Sequence, residues 1–266
     1  MIRIYKSPPP VGLRAYLVDK NIKTEDGLLA HSYEEENGFS FREAYKKCGE
    51  GETEYCYTSP QGDSAFTELR KQLLKEQKYV CCYCGQSLSN NVLEMKTEHF
   101  LPKNSNASKY GADKVNEWSS KQLDYSNLLA CCLGNQDSQK ENHCDSSKKD
   151  DALFHIINPA SSNFRNALEY RVYPNRKEVT VHAKIGIQNR DEIEKEINNI
   201  LNLNEQGLKQ KRFNQWNILI TNVLQNRWTR AKVQQCYDDY STRTERYVAF
   251  PAFILGYLAD KLAKMP

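Results

Sequence analysis

The chain of 266 residues has no apolar run near the roughly 18 residues of a membrane-spanning helix. Its longest candidate, "YVAFPAFILGYLADKL", is cut by Pro251 and closes on Asp260 and Lys261. The first residues, "MIRIYKSPPPVGL", contain no apolar core of signal-peptide length. These absences argue against a membrane protein and lead to the expectation of a cytoplasmic one. Internal repeats and long low-complexity tracts are also missing, which sets repeat architectures aside. A strong charge of one sign is missing too: the formal net charge is only +3. By segment it is about −2 for residues 1–74, zero for 75–150 and +5 for 151–266. The basic surplus therefore sits in the last third, the segment better suited to contact a polyanion.

Cysteine, by contrast, is abundant. Six of the nine cysteines, Cys81, Cys82, Cys84, Cys131, Cys132 and Cys144, fall within 64 residues, while Cys48, Cys56 and Cys236 lie outside. In a reducing compartment such clustering favours metal thiolates over a disulfide scaffold. Cys81 and Cys84 form a C-x-x-C, with Gly85 placed to close the turn, and two thiolates at this spacing can grip one Zn²⁺. The second pair would be Cys131 or Cys132 together with Cys144, across the inserted loop "LGNQDSQKENH". Adjacent residues on a strand point to opposite faces, so one of Cys131 and Cys132 should reach the metal. His143, beside Cys144, is an alternative ligand. A Zn²⁺ held by four sulfurs is closed and staples a core-poor segment without doing chemistry itself.

Between the two halves of this cage lies "KTEHFLPK", with Glu98 beside His99 in a chain of five histidines. An imidazole of near-neutral pKa can take a proton from water, and a carboxylate beside it can hold a hard cation such as Mg²⁺. Asp145, next to Cys144 at a helix start, is the candidate second carboxylate. Because neighbours on a regular strand diverge, Glu98 and His99 can cooperate only if the strand ends or twists there, and Pro102 fits such an ending.

The periodicities predict a helix over "AFTELRKQLLKEQKY" with Phe66, Leu69, Leu73 and Leu74 on one face. They predict strands in "VLEMKTEHF" and "YSNLLACC", a long loop between them, and a helix opening at "CDSSKKDDALFHI". A hairpin follows in "LEYRVY-PNRK-EVTVHA". After it come a helix with Ile193, Ile197, Ile200 and Leu201 as its stripe, a second with Phe213, Trp216, Ile220 and Val223, and two more. Three segments are expected: an irregular arm over 1–65, a core over 66–152, and a mainly helical region over 153–266 with its own core. The Phe213–Trp216–Ile220 stripe reads as core rather than a base-stacking platform. Lys209, Lys211, Arg212, Arg227, Arg230 and Lys232 read equally well as a phosphate track or a solvated face. His31, His155 and His182 read as structural or surface residues.

Taken together, "CCYC", "EHFLP", "NLLACC" and "CDSSK" resemble the zinc-bearing HNH endonucleases. "LLKEQKYVCCYCG", "HCDSSK" and "LNLN" narrow the resemblance to the PtuB-like subfamily of Septu and retron-associated anti-phage systems. The resemblance implies an α+β protein with a ββα-metal core. It implies structural Zn²⁺ on Cys81, Cys84, Cys132 and Cys144, and so selects Cys132 over Cys131. It implies His99 as general base, Glu98 and Asp145 as ligands of a catalytic Mg²⁺ or Mn²⁺, and Asn127 as a tie that orients the active-site loop. Asp145 stands where many relatives carry His or Asn. Expected activity is hydrolysis of phosphodiesters, with DNA the default and RNA or tRNA open. Expected partners are a PtuA-like ABC-type ATPase and, in retron settings, an RNA–DNA hybrid. Residues 71–164 contain no arginine, so the bidentate guanine contact that reads sequence is unavailable there. The competing expectation is a zinc-stapled module that binds nucleic acid or a partner and has lost catalysis.

Overall fold

A computed structural model describes residues 1–11, 13, 65–136, 138–223 and 228–266. The expectations for the arm from residue 14 to 64, including Cys48, Cys56 and His31, and for Arg227, lie outside these residues. The described part is α+β, with two separate two-stranded antiparallel sheets. Among the described residues no helix is long and apolar enough to cross a membrane.

Helix α1 (Ala65–Glu76) follows its sequence pattern. Phe66, Leu69, Leu73 and Leu74 are all buried, the stripe predicted at i, i+3 and i+7 with one neighbour. Beyond it Lys78 and Tyr79 adopt positive φ, and a lone bridge pairs Val80 with Ser87 around the first cysteine turn. Gly85 closes that turn at φ +79, and a Cβ there would stand 3.4 Å from the backbone of Phe250. The position therefore favours glycine for its handedness, while the neighbouring backbone leaves room for an ordinary contact.

Strand β1 (Lys96–His99) pairs with β2 (Leu128–Cys131), Glu98 opposite Leu129 and His99 opposite Leu128. Both strands are shorter than their sequence patterns. Val92–Glu94 is a 3₁₀ turn capped by Asn91 rather than strand. The connection between the strands is not irregular. It carries two helices, α2 (Ala107–Tyr110), capped by the Asn106 side chain, and α3 (Ala112–Ser120), which buries Trp118. Helix α4 (Asp145–Lys148) starts where predicted but lasts one turn. Its continuation is stopped because side chains claim the backbone and the acids that follow. Lys149 turns to φ 52, Tyr110 takes the amide of Ala152, and Glu196 takes the amides of Phe154, His155 and Ile156.

The hairpin of β3 (Leu168–Tyr173) and β4 (Glu178–Ala183) forms around Pro174–Arg176, with Lys177 left-handed. Val179, Val181 and Ala183 are buried in alternation. Helix α5 (Arg190–Lys195) continues as a π-helical turn over Glu196–Ile200, and Ile193, Ile197 and Leu201 are buried. Helix α6 (Gln206–Ile218) passes into a second π-helical turn. The two further helices are α7 (Arg230–Ser241), capped by Thr229, and α8 (Pro251–Ala263), with proline in its first turn. The buried apolar side chains form one continuous cluster from α1 through the cysteine turn and both hairpins to α8. The cysteine turn and the C-terminal region are also hydrogen-bonded directly, Phe250 N–H to Gly85 O at 2.6 Å and Cys144 N–H to Leu201 O at 2.7 Å.

Candidate metal centre and adjoining cleft

Four buried thiols, Cys81, Cys84, Cys132 and Cys144, lie within 4.8 Å of one another. Two separations are 3.9 Å (Cys81 to Cys144) and 4.0 Å (Cys84 to Cys132). Sulfurs placed tetrahedrally on a zinc at the usual bond length are about 3.8 Å apart. The group can therefore hold a metal ion of zinc's size and preference with little movement. Cys81 and Cys84 are set by the Gly85 turn. Cys132 follows the last residue of β2, and Cys144 is held at φ 56 by the Leu201 bond. The long loop before Cys144 closes at Gly134, whose carbonyl accepts from the His143 N–H at 3.1 Å and where a Cβ would meet the His143 carbonyl at 2.2 Å.

Cys131 is not turned away from this cluster. Its Sγ is 3.6 Å from that of Cys81, and with Cys82 it makes a second buried group sharing Cys81. His143 also stands at the edge, Nδ1 3.2 Å from Cys144 Sγ and 3.9 Å from Cys132 Sγ. Burial pushes the Cys84 and Cys144 thiols well up. Burial also acts to raise Cys81, but hydrogen bonds from Cys131, Cys132, Cys144 and Cys82 outweigh it and bring that thiol well down.

On the other side of β1 opens a cleft of about 560 Å³ lined by Arg70, Lys96, Glu98, His99, Lys103 and Asp145, among others. The strand ends at His99, and that ending lets two sequence neighbours face one space. His99 is buried, and its Nε2 is 2.8 Å from the carbonyl oxygen of Gln122. A carbonyl can only accept, so Nε2 carries the proton and Nδ1 the lone pair. Burial, then the field of Lys103, pushes the imidazole down to about 3, so it is neutral throughout the physiological range.

Asn127 ties this arrangement together. Its Oδ1 accepts from Leu101 N–H at 2.7 Å, and its Nδ2 donates to Leu101 O and Lys121 O, both at 3.1 Å. One side chain therefore fixes the segment after His99 to the segment that supplies the Gln122 carbonyl.

No family model matches the chain, and no curated protein matches it.

Glu98 and Asp145 line the same cleft. Burial, opposed by Lys148, raises Glu98 to about 8. Burial acts in the same sense on Asp145, but the Glu98 hydrogen bond and Lys96 outweigh it and hold that carboxyl low. Each acid has its own lysine. Lys148 Nζ is 2.9 Å from Glu98 Oε1, and Lys96 Nζ is 3.0 Å from Asp145 Oδ2. Tyr83, inside the first cysteine turn, donates its hydroxyl to Glu98 Oε1 at 2.6 Å.

Tyr83, Lys96 and Gln122 carry parts of this site that the sequence pattern does not assign, and Lys148, the last residue of the "CDSSK" element, carries a part for which the pattern gave no role. Lys96 had a legible signal, standing two residues before Glu98 and so on the same strand face. Lys148 had another, one helical turn after Asp145. Of the basic run, Lys211 and Arg230 are exposed, Lys232 is half-buried and Arg212 is not at the surface. Arg212 is fully buried and donates to Val179 O and Leu203 O. Arg230 caps the end of α8 through Leu262 O and Met265 O, and Lys209 pairs with Glu178. Phe213 and Trp216 pack against the core with Tyr257, as the stripe suggested. His155 and His182 are held by Glu196 and Glu194.

Proposed function

We propose that the chain is a metal-dependent endonuclease of the HNH type, hydrolysing phosphodiester bonds in nucleic acid, with DNA as first substrate and RNA as second. The observation that carries this reading is the convergence of Glu98, His99 and Asp145 on one cleft, next to four thiols arranged as for zinc. A module that used zinc only as a staple has no use for all three. The chain order of that region, two antiparallel strands followed by one helical turn, supports a ββα-metal core.

In this reading His99 Nδ1 takes a proton from water, with its ring held by the Gln122 carbonyl and that carbonyl's segment held by Asn127. Lys103, whose field adds to burial in lowering the basicity of His99, lines the same cleft, so a phosphate placed beside it would offset that part of the effect. Glu98 and Asp145 would hold a Mg²⁺ or Mn²⁺, which when bound stabilises charge on the phosphate and its leaving oxygen. Two close carboxylates suit such an ion, and Lys96 and Lys148 are the cations it would have to displace or share them with. Those same ion pairs favour the second reading, a zinc-stapled binding module whose carboxylates are already neutralised. An ABC-type ATPase partner is proposed from the resemblance alone.

The test is cleavage of plasmid, single-stranded DNA and tRNA by zinc-loaded protein with added Mn²⁺ or Mg²⁺, alone and with an ATPase encoded beside it. Wild type should cut, and His99→Ala should lose at least about 100-fold in rate while keeping zinc and fold. Absence of cutting by wild type in every combination would favour the binding module, and wild-type rates in His99→Ala would remove the general base.

A further inference from the structure

The catalytic carboxylate is gripped from both halves of the cysteine cage. Tyr83 stands between Cys82 and Cys84 in the first cysteine turn, and Lys148 ends the single helical turn that begins after Cys144. Both reach across β1 to the same atom. Tyr83 donates to Glu98 Oε1 at 2.6 Å and Lys148 Nζ lies 2.9 Å from it. Lys148 Nζ also donates to the carbonyl oxygen of His99 at 3.0 Å, so one ammonium holds the two neighbouring residues in a fixed relation. The three side chains Tyr83, Glu98 and Lys148 are each no more than 2% exposed. Such burial of a lysine and a glutamate is expensive unless geometry is enforced, and here a phenol and an ammonium enforce it.

We infer that Tyr83 and Lys148 are positioning residues that hold Glu98 by one oxygen, leaving its other oxygen to serve a divalent cation with Asp145. The inference rests on the proposed function. Its physical content is that the zinc cage does more than staple. It supplies, from each of its halves, one of the two groups that fix the carboxylate's rotamer. Outer partners of this kind are conventionally felt as metal affinity, and removing one costs about 10- to 100-fold.

The decisive variant is Tyr83→Phe, which removes one oxygen atom and keeps the ring. Zinc is measured by elemental analysis and Mn²⁺ binding by the loss of the free-ion signal in electron paramagnetic resonance, both on the full chain. Cleavage at saturating Mn²⁺ is measured in parallel. Expected is one zinc per chain in wild type and variant, Mn²⁺ affinity weaker by about 10- to 100-fold in the variant, and turnover largely recovered when Mn²⁺ is raised. Wild-type Mn²⁺ affinity in a zinc-loaded Tyr83→Phe protein overturns the inference and leaves the proposed function standing. Loss of zinc from Tyr83→Phe overturns it as well, because the hydroxyl would then serve the cage rather than Glu98. Absence of Mn²⁺ binding in the wild type overturns both.

Discussion

Removal of the Asn127 side chain tests the architecture of the cleft without touching its chemistry. The amide makes three hydrogen bonds, all to backbone groups of two segments, and the residue is buried. In Asn127→Ala the Leu101 N–H and the carbonyls of Leu101 and Lys121 lose their partner together. At about 1 kcal/mol for each bond the loss is about 3 kcal/mol, and more if the Leu101 amide finds no water. Asn127→Asp is the sharper variant because it keeps the shape. Its Oδ1 can still accept from Leu101 N–H, but a carboxylate oxygen then faces two carbonyl oxygens where an NH₂ stood. A buried charge confronting acceptors should make this isosteric change at least as costly as alanine at neutral pH. Protonation supplies one donor, so the Asp variant should recover part of its stability as pH falls, whereas the Ala variant should not.

The assay is equilibrium unfolding in urea of zinc-loaded protein at two pH values. Because Asn127 fixes the segment that presents the Gln122 carbonyl to His99, both variants should also lose activity under conditions in which they remain folded. A loss below about 1 kcal/mol in Asn127→Ala, set against the three-bond sum, would show that the bonds are not made in the protein. An Asp variant as stable as wild type at neutral pH would refute the donor assignment.

The cage predicts that Cys132→Ser falls well below one zinc per chain by elemental analysis while Cys131→Ser stays at one; the reverse would move the ligand to Cys131. Lys6 gives a pH dependence away from the cleft. Its ammonium donates to Leu128 O and approaches Glu76, yet burial pulls its pKa from 10.5 to about 8. The unfolded chain then holds the extra proton between these values, so this group makes stability rise as pH climbs from about 8 toward 10.5. At about 1.4 kcal/mol per pH unit the whole contribution is at most about 3 kcal/mol. Lys6→Met should flatten that slope in urea titrations of zinc-loaded protein, and an unchanged slope would assign it elsewhere.

What the sequence made legible and what it hid divide along a physical line. Periodic burial was readable: α1, the β3–β4 hairpin and the Ile193–Leu201 stripe all follow from side-chain spacing. So were the ligand-type clusters, because four thiols and a C-x-x-C constrain geometry strongly. Two things were not. The first is where a helix stops when long-range side chains claim its backbone. "CDSSKKDDALFHI" carries a good helix start, and only the fold reveals that Tyr110 and Glu196, 35 residues upstream and 51 downstream of Asp145, take the amides beyond it. The second is the partners of buried acids. Tyr83 is 15 residues from Glu98 and Lys148 is 50; "CDSSK" sets Lys148 near Asp145, but nothing local pairs either residue with Glu98. Arg212 shows the same limit from the other side. It was placed in a basic track by composition, yet it is fully buried, with β4 and Leu203 supplying its acceptors. Charge read along a sequence counts ions but does not say which face solvent. Arg70, Lys96, Lys103 and Lys149 line the Glu98–His99 cleft and are the cations nearest the proposed chemistry. In that cleft each of the two acids lies beside a lysine, Glu98 beside Lys148 and Asp145 beside Lys96, so a phosphate proposed to bind there would meet cations and carboxylates at close range.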